Sequence, residues 1–268
     1  MIGVFDSGLG GLAVLQKIRK KLSQYNYFYL GDTLHVPYGN RSDEAVYKLT
    51  RKACDFLFNQ GCKLIIIACN TATSKALRKL QKSYLKKLKN RGVKNILGVI
   101  RPLAEYVAQG LYQKVGVIAT TGTIKTHSYK KEISVLNKNL KIIESPAPLL
   151  VPLIEEGWDN QAETVSILKK YLLIFEKEKV DILILGCTHY AILLESFKNI
   201  LKNKIQVFDP GEIIAESLKD YLRRHPEIEK SLSKKGSVRY CVTDKNAIFE
   251  RVARSFLHRR IKIEKVVL

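Results

Sequence analysis

No apolar run in this 268-residue chain approaches the ~20 residues that a membrane-crossing helix needs, so a helical membrane protein is not expected. The opening Met-Ile-Gly-Val-Phe-Asp-Ser-Gly has neither a basic leader nor a small-residue cleavage pattern, and a secretory signal is not expected. Cysteine is scarce: the five present are an odd number with no paired spacing. That argues against a disulfide framework and for a reducing, cytoplasmic setting. The five histidines form no cluster with cysteine at zinc-ligand spacing, so no metal is expected. Acidic residues are also short, 25 against 46 Lys and Arg, for a net charge of +21 and a pI near 9.7. Such charge would suit nucleic acid. The basic residues, however, are spread over Lys17 to Lys21, Lys75 to Lys94, Arg223 to Lys235 and Arg251 to Lys265, as on solvated helix faces. With no zinc-finger spacing and no aromatic RNA-stacking motif, nucleic acid is not expected as the main ligand.

What is present is an alternation of strand and helix patterns, which argues an α/β protein with mainly parallel sheets flanked by helices. Its organising stretch is Leu64 to Thr73. Leu64 to Ala68 is continuously apolar and mostly β-branched, as in a strand covered on both faces. It ends at Cys69, and helical spacing runs from Ser74 to Leu88. In open α/β sheets such strand-to-helix corners are where ligands bind. The helix dipole there is expected to lower the thiol pKa. The same pattern recurs at Asp181 to Tyr190, where an apolar strand ends at Cys187 before a helical pattern through Phe197. Lys114 to Ala119 likewise repeats Ile2 to Phe5 at nearly the same offset, and Thr120 to Thr123 forms a second small-residue turn. We read an internal duplication.

Between these corners the spacing predicts helices over 12–22, 43–59, 161–178, 212–224 and 246–257, a helix stop at Arg91-Gly92, and strands at 27–30, 96–99, 142–144, 206–208, 239–242 and 261–267. Glu227 to Gly236 reads as a surface loop.

Three sets of residues carry chemistry. The first, Gly8-Leu9-Gly10-Gly11-Leu12-Ala13, satisfies the glycine pattern of a dinucleotide-binding turn, and Asp32 stands where a ribose-binding acid belongs. A nicotinamide oxidoreductase is therefore one alternative. Against it, Asp6 and Ser7 separate the strand from the glycines, and a carboxylate there repels pyrophosphate. The second is the cysteine pair with its polar neighbours Asn70, Thr71, Thr188 and His189. Two weak acids on opposite faces of one carbon remove a proton from one side and return one on the other, which inverts a stereocentre. The third is Asp6, Glu155 and His189, each placed to orient a thiol or share its proton. Cys54, Cys62 and Cys241 read as structural.

These stretches closely resemble the glutamate racemases, cofactor-independent enzymes that supply D-glutamate for bacterial peptidoglycan. The resemblance rests on Phe5 to Gly11, Pro37-Tyr38-Gly39, Ala68 to Thr73, Thr120 to Thr123, Val151 to Glu155 and Gly186 to Tyr190. Aspartate and hydantoin racemases share the cysteine pair but not the whole set. The resemblance implies no cofactor, and Cys69 and Cys187 as the acid/base thiols, with Asp6 beside Cys69 and Glu155 (rather than Glu156) and His189 beside Cys187. It implies substrate contacts from Asp6, Ser7, Tyr38, Gly39, Asn70, Thr71, Thr120, Thr123, Thr188 and His189. It also implies two pseudo-symmetric domains, 1–95 plus 208–268 and 96–207, closing on glutamate in the cleft between them, and a homodimer. Two positions depart from the family pattern. Ala191 stands where proline is usual, which predicts a looser turn, and Thr243-Asp244-Lys245 replaces Thr-Gly-Asp, which weakens the expectation of a functional loop there.

Overall fold

The computed structural model describes residues 1–88, 95–202, 204–245, 253 and 261–268. At its centre β1 (Ile2–Asp6) and β3 (Leu64–Ile67) run parallel, side by side, with every residue buried. Their continuous apolar sequence answers the need to cover both faces. β2 (Tyr27–Gly31) pairs on the other side of β1, and β4 (Asn95–Gly98) lies beyond β3. The late strands β9 (Val238–Val242) and β10 (Ile263–Lys265) return to extend the sheet past β2. The order is β10-β9-β2-β1-β3-β4, with every pairing parallel. A second parallel sheet holds β5 (Lys114–Ala119), β6 (Lys141–Pro146), β7 (Ile182–Gly186) and β8 (Gln206–Val207) in the order β6-β5-β7-β8.

The run β2-β1-β3-β4 and the run β6-β5-β7-β8 have the same order. The repeat of two cysteine corners is thus a repeat of topology. In each sheet the chain leaves the central strand to one side and comes back on the other. The C-terminal ends of β1 and β3, and of β5 and β7, are therefore topological switch points. Asp6 and Cys69 sit at one, Thr120 and Cys187 at the other.

Helices α1 (Gly11–Lys21), α2 (Asp43–Asn59), α3 (Asn70–Leu88) and α10 (Pro210–Arg224) cover the first sheet. The second is covered by α4 (Ile100–Gln109), α5 (Thr121–Thr126), α6 (Ser128–Leu136), α7 (Leu150–Glu155), α8 (Ala162–Glu178) and α9 (Leu194–Leu201). One core joins the halves: Leu12, Ile66 and Tyr29 of the first half belong to the same buried cluster as Val115, Val117 and Ile184 of the second, with Leu103 and Leu218. Each sheet packs a separate core on its outer face. The returning α10 is pinned to α1 by Lys17, which pairs with Asp209 at 2.9 Å and Glu212 at 3.0 Å.

Several elements differ from the sequence expectation. α3 starts at Asn70 rather than Ser74, because the Cys69 carbonyl already accepts from Thr73 N at 2.8 Å. β4 pairs with β3 in the first sheet, so residues 96–98 lie there and not in the second sheet. The segment expected as loop opens with a short helix, α11 (Pro226–Glu229), started by proline at its first turn. After Cys187 the chain makes a 3₁₀ segment, Thr188–Leu193, before α9. Ala191 does not loosen that turn: Tyr190 N donates to Cys187 O at 3.1 Å, and the buried Tyr190 hydroxyl donates to Ala147 O at 2.9 Å. The helix stop at Arg91-Gly92 and the helix expected over 246–257 lie outside the described residues, apart from residue 253. No described helix is long and apolar enough to cross a membrane.

Candidate active site

Cys69 ends the β3 corner as the residue before α3. Its sulfur accepts from Ala72 N at 3.4 Å, in the manner of a helix cap. Cys187 ends the β7 corner. The two thiols line one narrow cavity of about 300 Å³, mouth included, with Ser7, Tyr38, Gly39, Asn70, Thr71, Thr120, Thr188 and His189. Val36, Pro37 and Val151 complete the wall. The other lining residues besides the two thiols are substrate contacts expected from sequence, and of the expected contacts Asp6 and Thr123 do not line the cavity but are buried behind it. A larger cavity, about 1010 Å³ with its mouth, lies elsewhere under α3, α4 and α10 and contains neither thiol. Two of its guanidiniums are paired within it, Arg78 and Arg101 both to Glu132 at 2.6 and 3.0 Å.

The surroundings of the two thiols are unlike. Cys69 is buried beside the Asp6 carboxyl. Burial first, then that negative charge, push its pKa up to about 12, although Ser7 and Ala72 donate hydrogen bonds to it. The lowering expected from the helix dipole is overturned here: a dipole's partial charge is outweighed by desolvation of the whole thiolate. Asp6 is itself completely buried. It accepts from Gly8 N at 3.1 Å on one oxygen and from the Thr188 hydroxyl at 3.2 Å on the other. Burial raises its pKa against the pull of His189 and these donors.

On the Cys187 side stands an imidazole. His189 Nδ1 lies 3.9 Å from Cys187 Sγ, and its Nε2 lies 3.2 Å from Glu155 Oε1. The Glu155 carboxylate is close enough to Nε2 for strong charge attraction. Burial disfavours the imidazolium, yet Cys187 and Glu155 together outweigh it and hold the His189 pKa well above its ordinary value. Glu155 is half-buried and faces this site, whereas Glu156 is exposed.

That histidine has a measurable consequence. Its proton is held more tightly folded than unfolded. Above the ordinary imidazole pKa of about 6.5 the folded chain therefore carries a proton that the unfolded chain has released, and stability falls with rising pH until the folded imidazole also deprotonates. Thermal melts from about pH 6 upward should show a steeper loss in the native protein than in His189→Gln. Parallel slopes would show that His189 is not held protonated.

The rest of the wall is hydroxyl and amide. Thr71 meets Thr120 at 2.9 Å and Thr123 at 3.2 Å, joining the two halves through one three-hydroxyl cluster. Thr120 also caps α5, accepting from Thr123 N. Asp32, the acid that stands in the ribose-binding position of the glycine pattern, is fully buried and hydrogen-bonded within the protein. It accepts from the Tyr38 hydroxyl at 2.6 Å, the Thr243 hydroxyl at 2.8 Å and His35 Nδ1 at 2.8 Å. Thr243 thereby fixes the Tyr38 loop from the late strand β9, a role the altered motif at 243–245 had obscured. Sequence spacing missed the Thr243 link because the pairing of β2 with β9 brings it to Asp32 across 211 residues of chain.

The glycine turn is likewise filled with protein. A Cβ on Gly10 would lie 2.4 Å from Thr188 Oγ1 and 2.6 Å from His189 N. A pyrophosphate has no room there, and the dinucleotide alternative fails on this observation. Gly8 and Gly10 serve the close approach of the two halves, and Gly11 the packing of α1 against Asp6.

A family model described as Asp/Glu/Hydantoin racemase matches residues 2–218. This chain belongs to the Asp/Glu/hydantoin racemase family. Among curated members, a glutamate racemase of Limosilactobacillus reuteri is 38% identical over 232 residues, 87% of this chain and 84% of that one. Among solved structures, the glutamate racemase of Francisella tularensis in complex with D-glutamate is 32% identical with a TM-score of 0.86, covering 100% of this chain and 97% of that chain. A Bacillus anthracis glutamate racemase isoform is 31% identical with a TM-score of 0.89, at the same coverage. The architecture shared with these racemases is the pair of parallel sheets flanked by helices.

Proposed function

We propose that this chain interconverts L- and D-glutamate by proton transfer at the α-carbon, with Cys69 and Cys187 as the two acid/base groups. One observation carries the reading: the two thiols come from opposite halves of a duplicated fold and line a single cavity. Asp6 assists Cys69, while His189, oriented by Glu155, assists Cys187. The hydroxyls of Ser7, Thr71, Thr120, Tyr38 and Thr188, the Asn70 amide and the Gly39 backbone bind the substrate's carboxylates and ammonium, and Thr123, hydrogen-bonded to Thr71 and Thr120, holds those two hydroxyls in place. The unlike surroundings of the thiols support a division of labour. Burial and the neighbouring Asp6 carboxyl push the Cys69 thiol up, whereas the other thiol has an imidazole at 3.9 Å.

The glutamate racemases of L. reuteri, F. tularensis and B. anthracis support glutamate over aspartate as substrate. The same reading makes the protein a cytoplasmic source of D-glutamate for cell-wall peptidoglycan and a homodimer. It needs neither cofactor nor metal, and it divides the chain into a first domain ending after β4 and resuming near residue 208, with the second domain between. Purified protein given L-glutamate without added cofactor should yield D-glutamate on chiral chromatography, approaching an equal mixture. No D-glutamate, or a strict requirement for pyridoxal phosphate, would overturn the proposal.

A further inference from the structure

Tyr129 is a buried tyrosine that the sequence did not single out. It belongs to α6 in the second half and is 1% exposed. Its hydroxyl donates to Asn70 Oδ1 at 2.6 Å, across to the first half and to the residue that follows Cys69. Its ring lies against the other thiol corner: a Cβ on Gly186, the residue before Cys187, would come within 3.1 Å of the Tyr129 ring. One side chain therefore touches both thiol-bearing corners.

The hydrogen bond also sets a polarity. An amide has one acceptor and two donors. With Oδ1 taken by the Tyr129 hydroxyl, the Asn70 amide group presents its N–H donors to the cavity that Asn70 lines with Cys69 and Cys187. Donors there suit a carboxylate and not an ammonium. The hydroxyl is buried, so this bond compensates its desolvation; with the amide turned the other way the phenolic oxygen could accept from Nδ2, but the Tyr129 O–H proton would lose its Asn70 acceptor.

We propose that Tyr129 is a positioning residue that gauges the separation of the two thiol corners and turns Asn70 into a carboxylate donor. The inference rests on the reading of this cavity as the glutamate site.

Tyr129→Phe keeps the ring and removes the hydroxyl. KM for both glutamate enantiomers should rise about tenfold, the worth of one charge-assisted hydrogen bond, while kcat changes less than about threefold. Asn70→Ala should raise KM comparably, and the double variant should be no worse than Asn70→Ala alone, because Tyr129 acts through Asn70. Asn70→Asp tests the polarity independently. It still accepts from Tyr129 but sets an anion towards the carboxylate, so KM should rise more than in Asn70→Ala. An unchanged KM in Tyr129→Phe, additive effects in the double variant, or tighter binding by Asn70→Asp would overturn the inference. Wild-type protein inactive on glutamate would instead remove the functional reading beneath it.

Discussion

Cys69→Ser and Cys187→Ser should each abolish racemisation in both directions, with kcat falling by roughly 10²- to 10⁴-fold, the range attributed to a positioned general base. Serine keeps the size and a hydroxyl, but its far higher pKa removes a competent base. Both directions need both groups, since one takes the proton and the other returns one to the opposite face. Each single variant retains one thiol, however, and that thiol still faces one enantiomer. The resemblance to the glutamate racemases implies that Cys187 takes the proton from L-glutamate and Cys69 from D-glutamate, so Cys69→Ser should exchange the α-hydrogen of L-glutamate with solvent deuterium, and Cys187→Ser that of D-glutamate. Serine at Cys54, Cys62 or Cys241 serves as the control. These thiols are buried at or beyond the outer face of the first sheet, away from the cavity, and their replacement should affect stability and not turnover. Racemisation near the native rate in either site variant, or exchange of the same enantiomer by both, would refute a two-base mechanism.

Gly10→Ala should lower kcat/KM by about 10²-fold while the protein remains folded. The added methyl meets Thr188 and the backbone of His189 within 2.4–2.7 Å, and backbone atoms cannot swing aside as a flexible side-chain tip does. Gly10 and His189 belong to different halves, so relief of the clash moves the halves apart at the thiols. A shift of this size is enough to misplace reacting atoms. Gly61→Ala provides the contrast. Gly61 has φ of +85° and nothing within 4 Å of an added Cβ, so alanine there strains the backbone without touching the site. It should cost about 1 kcal/mol of stability and leave turnover intact. Circular dichroism and melting curves beside steady-state rates separate the two effects. Native turnover in Gly10→Ala would show that this contact does not set the closure.

A great deal of this protein was legible in its sequence, because its chemistry sits at strand ends. Leu64 to Ala68 and Ile182 to Gly186 are apolar runs whose period and length admit buried strands, and a buried strand in an α/β protein ends in a corner at the sheet edge. Cys69, Asn70, Thr71, Cys187, Thr188 and His189 could thus be placed by local pattern alone, and the repeated pattern disclosed the duplication. The same local reasoning misjudged the Cys69 thiol. A helix N-terminus is visible in sequence, whereas the desolvation and the Asp6 carboxyl that override it arise from a sheet neighbour far along the chain.

Tertiary structure alone decided the rest. Asp32 is a strand-end acid in a ribose-binding position until Thr243, just past β9, and Tyr38 of the loop close over it, after which the carboxyl is hydrogen-bonded inside the protein and fully buried, out of reach of a ribose. Gly8 to Gly11 match a phosphate-binding pattern until the second half fills the space above Gly10. Tyr129 is one of thirteen tyrosines in the chain and carries no local signal; its reach to Asn70 exists because two sheets of like topology face each other. Periodicity determines which residues are strands and corners because burial acts residue by residue along the chain. What faces what across a cleft depends on how the halves pack, and that information resides in no single stretch of sequence.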